Sequence, residues 1–93
     1  MLCNYNQALD DLDKALEINP ISAFAFGDRG SVHRMLFNYS EALADLDKAL
    51  VIDPTNAFAF ESRGSVHRML CNYNQVLDDL DKALEINPIS EDY

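Results

Sequence analysis

The side chains able to do chemistry in this 93-residue chain recur at a fixed distance. Ser31 and His33 return 34 positions later as Ser65 and His67, Arg29 returns as Arg63, and Cys3 returns 68 positions on as Cys71. A serine and a histidine serve as nucleophile and base only if their side chains share a face, and residues two apart on a helix do not. No Gly-rich loop able to cradle a phosphate accompanies them. A non-enzyme without a cofactor is therefore expected. Cys3, Cys71, His33 and His67 lack a neighbour at ligand spacing, so no metal centre is expected either. Stacked units between the two cysteines should hold them beyond the roughly 7 Å Cα limit for a disulfide. A reducing, cytoplasmic setting follows as the expectation.

The two arginines ask for a different chemistry, because each lies on an otherwise apolar helical stripe. Folding the helix that holds Arg29 back on the next one about Phe37–Asn38 sets Phe26 against Ala49, Gly30 against Asp45 and His33 against Ala42. Arg29 then reaches Asp45, and by the same register Arg63 reaches Asp79. A partly buried, bidentate arginine–aspartate pair is predicted in each hairpin, with Asp11 as a competitor for Arg29.

The elements that would position these groups are helices. Tyr5, Ala8, Leu9, Leu12, Ala15 and Leu16 follow the i, i+3, i+4, i+7 rule and predict a helix over 4–18. Asn4 with Gln7 forms its capping pattern, and Asn19-Pro20 stops it, since the residue before proline leaves helical geometry. Ser22 caps a second helix from Ala23 to about Leu36, whose inward stripe reads Phe26, Arg29 and Gly30, His33, then Leu36 and Phe37. Asn38 with Glu41 caps a third helix ending at Asp53-Pro54. A fourth runs over 57–70, and a fifth over 73–86 is capped by Asn72 with Gln75. Ser90 to Asp92 read as the cap of a sixth. Gly30 and Gly64 inside helices each cost about 1 kcal/mol relative to alanine, and close approach of the partner helix is the expected reason.

Composition narrows the partners. The net charge of −9 argues against nucleic acid, because a phosphate backbone calls for clustered Lys and Arg. Apolar residues make up 48 % and charged ones 25 %, ordinary for a globular protein. No apolar run approaches the roughly 18 residues of a membrane span, and the first residues lack the pattern of a signal peptide. The acidic clusters at 10–13, 45–47 and 78–81 read first as solvated faces, and second as a docking surface for a basic partner.

The repeat organises all of this. LFNYSEALADLDKALVIDP (36–54) recurs as LCNYNQALDDLDKALEINP (2–20) and LCNYNQVLDDLDKALEINP (70–88), and AFAFGDRGSVHRML (23–36) recurs as AFAFESRGSVHRML (57–70). A period of that length is the mark of a solenoid. The unit resembles the tetratricopeptide repeat, whose pattern falls here on Phe26, Arg29, Gly30, His33, Ala42, Leu46, Ala49 and Pro54, and again on Phe60, Arg63, Gly64, His67, Val76, Leu80, Ala83 and Pro88. Phe stands where the family has Trp, Arg where it has Leu, His where it has Tyr, and the turn glycine is replaced by Phe37 or Cys71.

The resemblance implies an all-α fold, a right-handed superhelical solenoid of antiparallel helix pairs. With A and B naming the two helices of a unit, the order is B-A-B-A-B: a leading half repeat over 1–22, full repeats over 23–56 and 57–90, and the start of another helix over 91–93. It further implies a protein-interaction scaffold that holds a peptide in a concave groove lined by the A helices. The groove positions are Phe24, Gly27, Asp28, Ser31, Arg34 and Met35, then Phe58, Glu61, Ser62, Ser65, Arg68 and Met69. The family's clamp for a chaperone's C-terminal carboxylate is not expected, because its Lys, Asn and Arg places hold Gly27, Ser31, Glu61 and Ser65. The expected ligand is a peptide with apolar anchors and an acidic group set against Arg34 or Arg68. The second function reading is a structural module that self-associates, as a homo-oligomer formed through its uncovered end helices or by helix exchange.

Overall fold

A computed structural model describes residues 4–88 of the chain. Cys3 and the expected helix start at 90–92 lie outside the described residues. Five helices follow one another: α1 (Tyr5–Ile18), α2 (Ala23–Met35), α3 (Tyr39–Ile52), α4 (Ala57–Met69) and α5 (Tyr73–Ile86), with no strand among the described residues. Each packs on its sequence neighbours, and α2 also touches α4. No described helix is long and apolar enough to cross a membrane.

Local chemistry sets where each helix begins and ends. The Asn4 side chain accepts from the Gln7 amide at 2.9 Å, and Ser22 and Asn56 cap α2 and α4 in the same way at 3.1 Å. Before each proline the chain turns extended, and the Asn19, Asp53 and Asn87 amides close the last turns on Ala15, Ala49 and Ala83. Asp53 also accepts from the Thr55 hydroxyl at 2.7 Å and the Thr55 amide at 3.1 Å, which holds its carboxyl below the usual carboxylate range.

The α2–α3 and α4–α5 turns differ from expectation in an instructive way. Phe37 and Cys71 both sit at φ 63°, the left-handed region that ordinarily favours glycine. The Asn38 amide donates to the His33 carbonyl at 2.8 Å and the Phe37 amide to the Arg34 carbonyl at 3.0 Å, and Asn72 and Cys71 repeat the pattern on His67 and Arg68. This pair of hydrogen bonds is the Schellman helix stop, here formed without glycine. It turns Phe37 outward, 73 % exposed, so that residue leaves the inward stripe assigned to it. It also redirects the next asparagine. Asn38 and Asn72 make no capping bond; their amide nitrogens lie 3.4 and 3.3 Å from Nδ1 of His33 and His67.

The core runs through the middle of the array. Ala42, Leu46, Ala49, Leu50, Ala59, Phe60, Val66 and Ala83 form one buried cluster, with Phe26, Tyr39 and Leu43 packed against it. Gly30 shows why a small residue is needed at the hairpin's closest approach. A Cβ there would lie 2.8 Å from Leu46 Cγ and 3.2 Å from the Ala42 carbonyl. Gly30 thus opposes Leu46 and Ala42, a residue or so away from the Asp45 register read from the sequence. At Gly64 the nearest atom is Asp79 Cβ at 3.4 Å, and the Val76 carbonyl is 3.8 Å away.

Candidate functional site

The arginines form the best-defined polar structure. Arg29 donates from Nε to Asp45 Oδ2 at 2.8 Å and from Nη2 to Asp45 Oδ1 at 2.9 Å. Its third bond, from Nη1 at 2.9 Å, goes to Asp13 of α1 and not to Asp11. Arg63 repeats this, with Nη2 on Asp79 Oδ1 at 2.8 Å and Nη1 on Asp47 Oδ1 at 2.8 Å. Each guanidinium therefore ties an A helix to the B helix before it and the B helix after it. Its charge also lies 5.6 Å from the Phe26 ring centre, or 5.4 Å from that of Phe60, within cation–π range. The hydrogen bonds to Asp45 and Asp79 are the largest cause that holds both arginines above their ordinary pKa, against the opposing cost of burial.

Asp13 and Asp47 were missed in the sequence, although a signal was present. Each arginine stands midway between two aspartates sixteen residues away, Asp13–Arg29–Asp45 and Asp47–Arg63–Asp79. In the central Asp45-Leu46-Asp47, the first carboxylate serves the preceding arginine and the second serves the following one.

The groove residues separate into two open hollows. The first, of about 300 Å³, is lined by Phe24, Gly27, Asp28, Asn56 and Phe58. Phe58 lies across Gly27, its ring carbon 3.9 Å from where a Cβ would stand. Burial raises the pKa of the Asp28 carboxyl. The second hollow, of about 270 Å³, is lined by Glu61, Gly64, Ser65, Arg68, Val76 and Leu80. Ser31, Arg34, Met35 and Met69 line neither one. Ser62 is buried and leaves the groove set. Arg34 differs from its repeat mate Arg68: its Nε is buried without a hydrogen-bond partner, whereas Arg68 is exposed. Phe58, Glu61, Ser65 and Arg68 fall on one face of α4 and join the hollows. No group of three His, Cys, Asp or Glu able to hold a metal ion occurs among the described residues.

This geometry can be set beside known proteins. The family model described as Tetratricopeptide repeat matches residues 23–56, which are α2, α3 and the loops after them, and 57–90 repeats that unit. Residues 23–56 are a tetratricopeptide repeat, and the five-helix fold is that of tetratricopeptide-repeat domains. Among solved structures, the TPR domain of Arabidopsis OM64 superposes with a TM-score of 0.89 at 26 % identity, over 94 % of this chain and 72 % of that one. The first TPR of Spaghetti (RPAP3), bound to the HSP90 peptide SRMEEVD, superposes at 0.89 with 22 % identity, over 94 % of this chain and 69 % of that one. The second TPR of Spaghetti, bound to the same peptide, gives 0.85 at 22 %, over 89 % and 77 %. The Spaghetti likenesses carry the fold alone. No curated protein matched the sequence. Within the family pattern, Arg29 and Arg63 replace an apolar residue, and the bonds to four aspartates are what their charge gains there.

Proposed function

We propose that this tetratricopeptide-repeat chain is a protein-interaction module that holds an extended peptide along the exposed face of α4. The observation that carries the reading is the alignment of Phe58, Glu61, Ser65 and Arg68 between the two hollows. Phe58 and Arg68 are ten residues apart, about 15 Å along a helix axis. An extended peptide covers that distance in about five residues. The fitting ligand places an apolar side chain in the hollow of Phe24, Gly27 and Phe58, and an acidic group four or five residues away against Arg68.

The Spaghetti domains support this reading in kind, since their peptide SRMEEVD is acidic toward its end. The clamp positions holding Gly27, Ser31, Glu61 and Ser65 argue that the acid is read at Arg68 and not as a C-terminal carboxylate. The alternative of a self-associating module rests on the exposed leucines of α5, Leu77 and Leu84.

The test is fluorescence anisotropy with peptides that vary the spacing between one apolar and one acidic residue. Phe58→Ala and Arg68→Glu should each weaken the best peptide about tenfold or more, the range of truncated interface anchors, and leave helical content unchanged because both side chains are exposed. Binding that survives both substitutions at moderate salt contradicts the groove assignment.

A further inference from the structure

The hollow between the N-terminal halves of α2 and α4 holds a carboxylate that no described residue neutralises. Phe24, Gly27, Asp28, Asn56 and Phe58 line its roughly 300 Å³. Asp28 is half-buried, and no ion pair or hydrogen bond to it occurs among the described residues. The neighbouring arginines are already engaged, Arg29 by Asp13 and Asp45 and Arg63 by Asp47 and Asp79. Burial without a partner is what raises the Asp28 pKa. The repeat itself does not ask for an acid here, since the equivalent position in α4 is Ser62, buried and uncharged. The two aromatic walls stay open to solvent, Phe24 at 75 % and Phe58 at 47 %.

We propose that this hollow takes the basic side chain of a peptide, lysine or arginine, with its methylene stem against Phe24 and Phe58 and its cationic head at Asp28. The inference rests on the groove reading above and specifies its apolar anchor as the stem of a basic residue. Charge decides between occupants. A purely apolar side chain would complete the desolvation of Asp28 and leave it unpaired. A cation offsets that cost, and the two rings add a cation–π attraction that a neutral side chain lacks. A long aliphatic stem under a charged head matches a hollow that is aromatic on two walls and acidic at one point. Together with Arg68, the groove then selects a dipolar peptide, basic at one end and acidic four or five residues on.

The probes are fluorescein-labelled peptides that set glutamate four or five residues after lysine, acetyl-lysine or norleucine, titrated into the whole chain and followed by anisotropy. Norleucine keeps the stem without the charge, and acetylation removes the charge while lengthening the side chain. The lysine peptide should bind about five- to thirtyfold tighter than either, the combined range of a half-exposed ion pair and a cation–π contact. Asp28→Asn should remove most of that preference and leave the norleucine peptide as tight or tighter. Phe24→Leu, which keeps apolar bulk, should weaken the lysine peptide more than the norleucine one. The comparison of peptides on the natural chain decides the matter even if a variant fails to fold. A norleucine peptide as tight as the lysine peptide, or a lysine preference untouched by Asp28→Asn, overturns the proposal. The groove reading survives that result if Phe58→Ala and Arg68→Glu still weaken the norleucine peptide. No binding by any of the three at millimolar concentration overturns both.

Discussion

Val76 is the one residue by which 70–90 departs from 2–22, where Ala8 stands in its place, and the middle copy has Ala42. At the closest approach of α2 and α3, Ala42 is fully buried and its carbonyl would be 3.2 Å from a Cβ on Gly30; the Val76 carbonyl would be 3.8 Å from one on Gly64. The bulkier branched side chain holds α5 off α4. Leu80 is 41 % exposed where Leu46 is 0 % exposed, and a hollow opens beside Arg68. Two glycines that look alike in the sequence therefore differ in kind. Gly30→Ala should destabilise by about 1–3 kcal/mol, because Leu46 Cγ is walled in and must shift. Gly64→Ala should be neutral or stabilise by up to about 1 kcal/mol through helix propensity. Urea unfolding of the two variants checks this, and equal losses would refute the wider second hairpin.

At the scale of helices, the arginine with its two aspartates is the joint of the array. Its two arms should contribute unequally. Asp79 is 4 % exposed at its side chain and Asp47 60 %, with Arg63 between at 22 %. Arg63→Ala strips a buried carboxylate of its partner and should cost about 2–4 kcal/mol, somewhat below the usual toll for a fully buried pair. Asp47→Ala removes a solvated ion pair and should cost at most about 1 kcal/mol. Denaturant midpoints of the two variants measure the asymmetry, and a loss at Asp47 as large as at Arg63 would place the weight on the arm between repeats. Much at this scale was legible in the sequence. The apolar period, the caps at Asn4 and Ser22 and the Asn-Pro stops act through neighbours within four residues. The caps at Asn38 and Asn72 were not legible. The asparagine is drawn across the turn to a histidine five residues back, a contact that depends on the positive φ of Phe37 and Cys71.

For the whole molecule, the 34-residue period carried the architecture, since each unit has to cover its apolar face with a neighbour. The groove was harder to read. Helical spacing assigns Ser31, Arg34 and Met35 to the same face as Phe24, but Arg34 Nε is buried and these residues lie outside both hollows. Which member of a repeated pair stays open is decided by where it lies in the array, and identical local sequence cannot express that. Peptide recognition on the face of α4 is the central claim, and the most direct measurement is an amide chemical-shift map of the labelled chain with the tightest peptide found. The account predicts shifts at Phe24, Gly27, Phe58, Ser65 and Arg68. Shifts confined to the acidic residues Asp10, Asp11 and Asp78 would contradict it and assign binding to a basic partner.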